Sequence, residues 1–105
     1  VLLNKGLQKI GKGACSQCSS LESIELPSTV SEVGEGAFRN CKQLKDVVLN
    51  EGLQKIGKGA FCQCPSLESI ELSSTVSEVG DAAFAKCYSL MDVVLNEGLK
   101  KIGVQ

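Results

Sequence analysis

The residues of this 105-residue chain best suited to chemistry are its six cysteines. Cys15-x-x-Cys18 has the spacing of a thiol–disulfide motif, and Cys62-x-Cys64 adds a second close pair. A catalytic thiol needs a group beside it that favours the thiolate, and histidine is the usual one. There is no histidine in the chain. Without one, neither a Cys-His nor a Ser-His nucleophile pair can form, and no side chain offers an ordinary base near neutral pH. No P-loop, nucleophile elbow, HExxH helix or EF-hand loop occurs either. The chemistry-bearing residues therefore point away from catalysis, and the segment reads as non-enzymatic.

What positions the cysteines is a repeat. Shifted by 23 places the chain finds itself again, with units 3–25, 26–48, 49–71 and 72–94 and a partial unit 95–105. Such a period means a solenoid, in which each unit stacks on its neighbours because it cannot bury its apolar face alone. Cys18, Cys41, Cys64 and Cys87 occupy one column of the repeat, one per coil, and read as small core hydrophobes that stay free thiols. Column neighbours about 5 Å apart at Cα are still within disulfide range. A zinc site from Cys15, Cys18, Cys62 and Cys64 would join units two coils and about 9–10 Å apart, too far for ligands at about 2.3 Å from one metal. No metal and no cofactor is expected. Cys62 is off the column and is expected to be the exposed, reactive thiol.

The other columns define the coil. Leu21/Ile24/Leu26 recurs as Leu44/Val47/Leu49, Leu67/Ile70/Leu72 and Leu90/Val93/Leu95, an L-x-x-[IV]-x-L run that reads as a short strand. A second apolar pair, such as Val30/Val33 or Leu53/Ile56, reads as a second strand on the opposite side. Glycine closes that strand at Gly11, Gly34, Gly57, Gly80 and Gly103, which predicts a turn through positive φ. Then comes A-[FC]-x-x-C, whose spacing suits one helical turn with a buried side. Cys15 stands where three units have Phe, so the first coil is expected either to pack more loosely or to be completed by a preceding coil.

Alternate units differ regularly, and residues 3–48 match 49–94 at 34 of 46 positions. Much of the alternation is charge. One column runs Lys9, Glu32, Lys55, Glu78, Lys101; a second runs Lys12, Glu35, Lys58, Asp81; a third runs Glu22, Lys45, Glu68 and then Met91. With strands about 4.8 Å apart, each charge is expected to face the opposite sign above and below. Such pairs are worth only about 0.2–1 kcal/mol each, yet a slip by one unit would align like charges, so the ladder is a register device. The signs cancel along a column, which argues against a charged ligand stripe.

The outward positions of the first strand form an open strip: Ser23, Asp46, Ser69 and Asp92, with Glu25, Val48, Glu71 and Val94. Four carboxylates, two valines and no basic residue suit a basic or mixed protein surface. Tyr88 and Met91 break the pattern and could extend the strip with an apolar edge.

These columns resemble the BspA-like leucine-rich repeats, L-x-x-[IV]-x-[LIV]-P-x-x-[VL]-x-x-[IV]-G-x-x-A-F-x-x-C, and Leu21–Cys41 (LESIELPSTVSEVGEGAFRNC) satisfies every column. The departures are few: Pro27 becomes Asn50, Ser73 or Asn96, Cys15 replaces Phe, and Gly103 precedes no A-F-x-x-C. The resemblance implies a right-handed solenoid used for binding, often on cell surfaces.

With a net charge of −1 and no basic run, the sequence does not suggest a nucleic-acid or polyanion surface. No apolar run approaches the roughly 20 residues that span a bilayer. Both ends fall inside repeats, so the sequence reads as a window from a longer array. The expected fold is a leucine-rich-repeat solenoid of about four coils, with short strands on two sides and a helical turn between them. The expected function is a protein-binding scaffold with protein partners. The alternatives are a structural segment of a larger complex joined through its ends, and a cell-surface adhesin fragment.

Overall fold

The structure, a computed structural model, describes the backbone of residues 7–94 and 101–102 and the side chains of residues 7–91. Leu3, Leu95, Gly103 and the side chains of Asp92, Val94 and Lys101 therefore lie outside the described residues. The strands are β1 (Lys9–Ile10), β2 (Ser23–Glu25), β3 (Glu32–Val33), β4 (Asp46–Val48), β5 (Lys55–Ile56), β6 (Ser69–Glu71), β7 (Glu78–Val79), β8 (Asp92–Val94) and β9 (Lys101–Ile102). The two-residue strands form one five-stranded parallel sheet in the order β1-β3-β5-β7-β9. Its register, Lys9 with Glu32 and Ile10 with Val33, is the 23-residue repeat written in hydrogen bonds. Parallel neighbours need a long crossover, and here the remainder of each coil supplies it.

The three-residue strands behave differently. They pair as β2 with β4 and β6 with β8, two separate two-stranded sheets. The break falls between the second and third coils, where one 46-residue super-repeat ends and the next begins. The break is confined to this side, since β3 pairs with β5 across the same boundary.

Between the two sides lies the core. Val30, Val33, Ala37, Phe38, Cys41 and Leu44 are all fully buried, as are Leu53, Ile56, Ala60, Phe61, Cys64 and Leu67 one coil on. In the fourth described coil Phe84, Cys87 and Leu90 are only partly covered. A coil is sealed by its neighbours, as a solenoid requires. The phenylalanines stack as a column, Phe38 on Phe61 at 5.2 Å and Phe61 on Phe84 at 5.7 Å between ring centroids. Such contacts are worth about 0.5–1.5 kcal/mol each beyond burial. Cys15, half-buried, stands in the same column without a ring.

Two expectations about the coil's second half need correction. The A-[FC]-x-x-C segment is not a helical turn, and no helix occurs among the described residues. Alternate amides bond three residues back, as Ala37 to Gly34 and Arg39 to Gly36. The amides between them reach the next coil instead: Gly36 to Lys58, Phe38 to Ala60 and Asn40 to Cys62. A helix would need every amide within its own coil, and stacking claims half of them. The segment ends in left-handed backbone at Gln17, Asn40, Gln63 and Lys86, with φ between 61 and 63°.

The glycines that close the second strand are also not there for positive φ. Gly34, Gly57 and Gly80 are absent from the left-handed region, which Gly36, Gly59 and Ala82 occupy two residues later. Their role is close approach between coils. A Cβ on Gly57 would lie 2.8 Å from both Glu35 N and Gly34 C, and one on Gly80 would lie 2.5 Å from Lys58 N. Only a residue without a side chain lets the coils stack at this corner.

Candidate interaction face

On β2, β4 and β6 the central aliphatic points inward and its two neighbours outward. Short strands of alternating character produce this because successive side chains leave opposite faces of a sheet. Ser23, Glu25, Asp46, Val48, Ser69 and Glu71 are accordingly exposed. Register brings Ser23 beside Asp46 and Glu25 beside Val48, and likewise Ser69 beside Asp92 and Glu71 beside Val94 in backbone position. The strip is interrupted, because Asp46 and Ser69 are not joined by a strand ladder. At that interruption a groove is lined by Val47, Val48, Leu49, Glu51, Glu71 and Ser73. Val48 is 54% exposed, an uncovered aliphatic flanked by carboxylates. Met91, which ends the Glu22–Lys45–Glu68 column, is 85% exposed beside the same face.

On the opposite sheet the charge column is in register: Lys9 with Glu32, Glu32 with Lys55, Lys55 with Glu78 and Glu78 with Lys101. Ion pairs close at 3.9 Å between Lys9 and Glu32 and at 3.8 Å between Lys55 and Glu78. The first joins the first and second coils and the second joins the third and fourth. All four side chains are substantially solvated, which keeps each pair in the weak range.

The thiols have a structural use that the sequence did not reveal. Cys64 Sγ donates to the Phe38 carbonyl at 3.1 Å, and Cys41 and Cys87 do the same to the Cys15 and Phe61 carbonyls at 3.2 and 3.0 Å. Each of these three column cysteines is thus a small apolar residue that also satisfies a carbonyl of the preceding coil, which alanine could not do. Hydrogen bonding with the Cys41 and then the Cys87 sulfur, together with burial, holds the Cys64 thiol well above the ordinary range. Burial pushes Cys15 up as well, with the nearby Cys18 and Cys41 adding to it. All six cysteines are free. Cys62, expected to be exposed, is half-buried beside Arg39 and Lys58. Among the described residues no group of three or more His, Cys, Asp or Glu side chains is placed to hold a metal ion.

A second surface was not anticipated. The edge made by residues 13–20, 36–43, 59–66 and 82–89 carries Arg39, Lys42 and Lys86 and no aspartate or glutamate. A groove of about 350 Å³ there is lined by Asn40, Lys42, Gln63, Pro65, Lys86 and Tyr88. No basic run exists in the sequence, since stacking is what assembles the edge from residues far apart. The signal was nonetheless present, as the absence of acids from one arc of every repeat.

Parallel strands repeating at 23 residues around one apolar stack define a leucine-rich-repeat solenoid. The chain belongs to the BspA type Leucine rich repeat region family, which matches residues 6–105. It is similar to the crystal structure of a Treponema pallidum leucine-rich repeat protein, TpLRR, at 36% identity and a TM-score of 0.91, covering 92% of this chain and 45% of that one. It is also similar to a leucine-rich repeat protein from Bacteroides ovatus (26% identity, TM-score 0.70, 97% of this chain and 38% of that one). A leucine rich cell surface protein from Faecalibacterium prausnitzii shares the fold at 24% identity and a TM-score of 0.77, over 89% of this chain and 30% of that one. The chain thus spans less than half the length of these solved relatives. No curated protein matches it in sequence.

Proposed function

We propose that this segment is a non-catalytic recognition surface whose open strand face takes a basic or mixed protein surface. The observation that carries the reading is the sorting of charge around the coil. The strand face, residues 22–25, 45–48, 68–71 and 91–94, holds Glu22, Glu25, Asp46, Glu68, Glu71 and Asp92 against one lysine, Lys45. Exposed Val48 and Met91 add apolar contact within that acidic field. Complementary charge steers and orients a partner, while the apolar residues supply contact that salt does not screen. Membership of a repeat family whose extended surfaces serve binding supports the same reading.

The test is capture of a partner by the full-length protein and by a form carrying Glu25→Lys, Asp46→Lys and Glu71→Lys. All three positions are exposed, so the thermal midpoint should hold. The identified partner should bind the reversed form at least roughly tenfold more weakly, with most of the loss at low salt. Undiminished binding, with the fold intact, would refute the assignment to this face.

A further inference from the structure

The basic turn edge matches the acidic strand face of its own solenoid. Both are built on the same stack, so each presents its groups coil by coil along the same axis. Along the face the order by coil is Glu25, Val48, Glu71. The edge groove is lined by two neighbouring columns, Lys42, Pro65 and Tyr88 in one and Asn40, Gln63 and Lys86 in the other, so its two cations stand in the second and fourth coils. Two cations around a proline and a tyrosine on the edge stand against carboxylates around a valine on the face, with opposite signs. Val48 is 54% exposed on the face and Tyr88 79% exposed on the edge, with Pro65 half-buried between Lys42 and Tyr88 in their column.

We propose that the occupant of this edge groove is the strand face of a second copy of the chain. The inference rests on the reading of the strand face as a binding surface and names one partner for it. In the docked pair Lys42 and Lys86 lie against Glu25 and Glu71 of the second copy, and Val48 of that copy lies over Pro65 beside the Tyr88 ring. The contact joins unlike surfaces, so each copy keeps a free face and a free edge, and side-by-side growth stays open rather than closing as a dimer.

The contact is small. The described chain measures 30 × 29 × 20 Å, and one 30 × 20 Å side is about 600 Å², below the roughly 800 Å² per partner of a standard stable interface. Association is therefore weak, fast and salt-sensitive, and a longer array would strengthen it by presenting several such contacts at once. A nucleic acid suits the edge less well. Three cations give few phosphate contacts, and the face beside them is acidic.

The experiment is sedimentation velocity of the full-length protein over a concentration series at low and high salt, with three variants. One carries Glu25→Lys and Glu71→Lys, one carries Lys42→Glu and Lys86→Glu, and one carries all four. Lys42, Lys86, Glu25 and Glu71 are all exposed, so circular dichroism should be unchanged. Wild type should associate in low salt and dissociate in high salt. Each double variant alone should associate at least about fivefold more weakly. Mixing the two doubles, or joining all four changes in one chain, should restore association.

Monomeric wild type at every concentration overturns the inference, and so does association that the reversals leave intact or that the quadruple variant fails to restore. These outcomes stay separate from the broader reading. A different protein that binds the wild-type face and is lost with Glu25→Lys and Glu71→Lys would uphold the face while removing the second copy as its occupant. Binding of a short single-stranded oligonucleotide at the edge that competes with self-association would likewise overturn the second copy as the resident partner.

Discussion

Replacing Gly57 with alanine tests whether the coils stack through glycine contacts. The new Cβ would sit 2.8 Å from Glu35 N, 2.8 Å from Gly34 C and 2.9 Å from Val33 O, against ordinary contact from 3.4 Å upward. The shortfall is 0.5–0.6 Å, and every atom involved is backbone. Relief requires the third coil to lift from the second, which stretches the bonds Gly57 N to Val33 O (2.7 Å) and Gly36 N to Lys58 O (2.9 Å). Overpacking costs about 1–3 kcal/mol and each weakened bond about 1 kcal/mol. The reduced backbone freedom of an unfolded alanine returns about 0.4–1 kcal/mol, leaving a net loss of about 2–5 kcal/mol. Gly59→Ala is the control. Gly59 does have positive φ (62°), but its Cβ would meet nothing closer than Cys62 Cβ at 3.7 Å. Ala82 already occupies that column at φ 55°. Its loss should be about 1 kcal/mol. Urea unfolding followed by circular dichroism reads both. A turn-only role for Gly57 predicts the reverse order. Equal losses, or a larger loss at Gly59, would refute the close-approach account.

Other substitutions address the remaining parts of the stack. Phe61→Ala removes the middle ring of the column and should cost about 3–5 kcal/mol, well above the same change at Phe84, which is only partly buried. Similar losses at the two positions would argue against the ring column. Cys64→Ala should destabilise by about 1–2 kcal/mol, since it leaves the Phe38 carbonyl without its thiol donor. In the native protein near pH 8, Cys64 should resist alkylation while Cys62 reacts, because Cys64 is buried and held as the neutral thiol. Mass mapping that finds Cys64 labelled first would contradict this. Lys55→Glu should lower the unfolding free energy by no more than about 1 kcal/mol in low salt and by less in high salt. An equal drop in both would remove the charge column as a register device.

Much of this architecture was legible in the sequence because a repeat reports its own packing. A residue that recurs as aliphatic in every coil, such as Leu21, Leu44 and Leu67, faces the core, and the 23-residue offset is the strand register itself. The alternation of Lys9, Glu32, Lys55 and Glu78 likewise anticipated which side chains face one another. What the sequence concealed was backbone. Gly34 and Gly36 are the same letter, yet one is constrained by a neighbouring coil and the other by φ. Ala37-Phe38-x-x-Cys41 has helix-like spacing, but the spacing does not say that every second amide bonds to the next coil. The edge groove was hidden for a related reason: Lys42 and Lys86 are far apart along the chain and come to line one groove only after stacking.

The central claim is that partners bind the strand face. A photo-crosslinking residue placed at Val48, and separately at exposed Gln54 on the other side of the coil, tests it most directly in the full-length protein exposed to its native cellular extract. The account predicts discrete protein adducts from position 48, suppressed by high salt, and none from position 54. Adducts from position 54 alone, or from neither position, would contradict it.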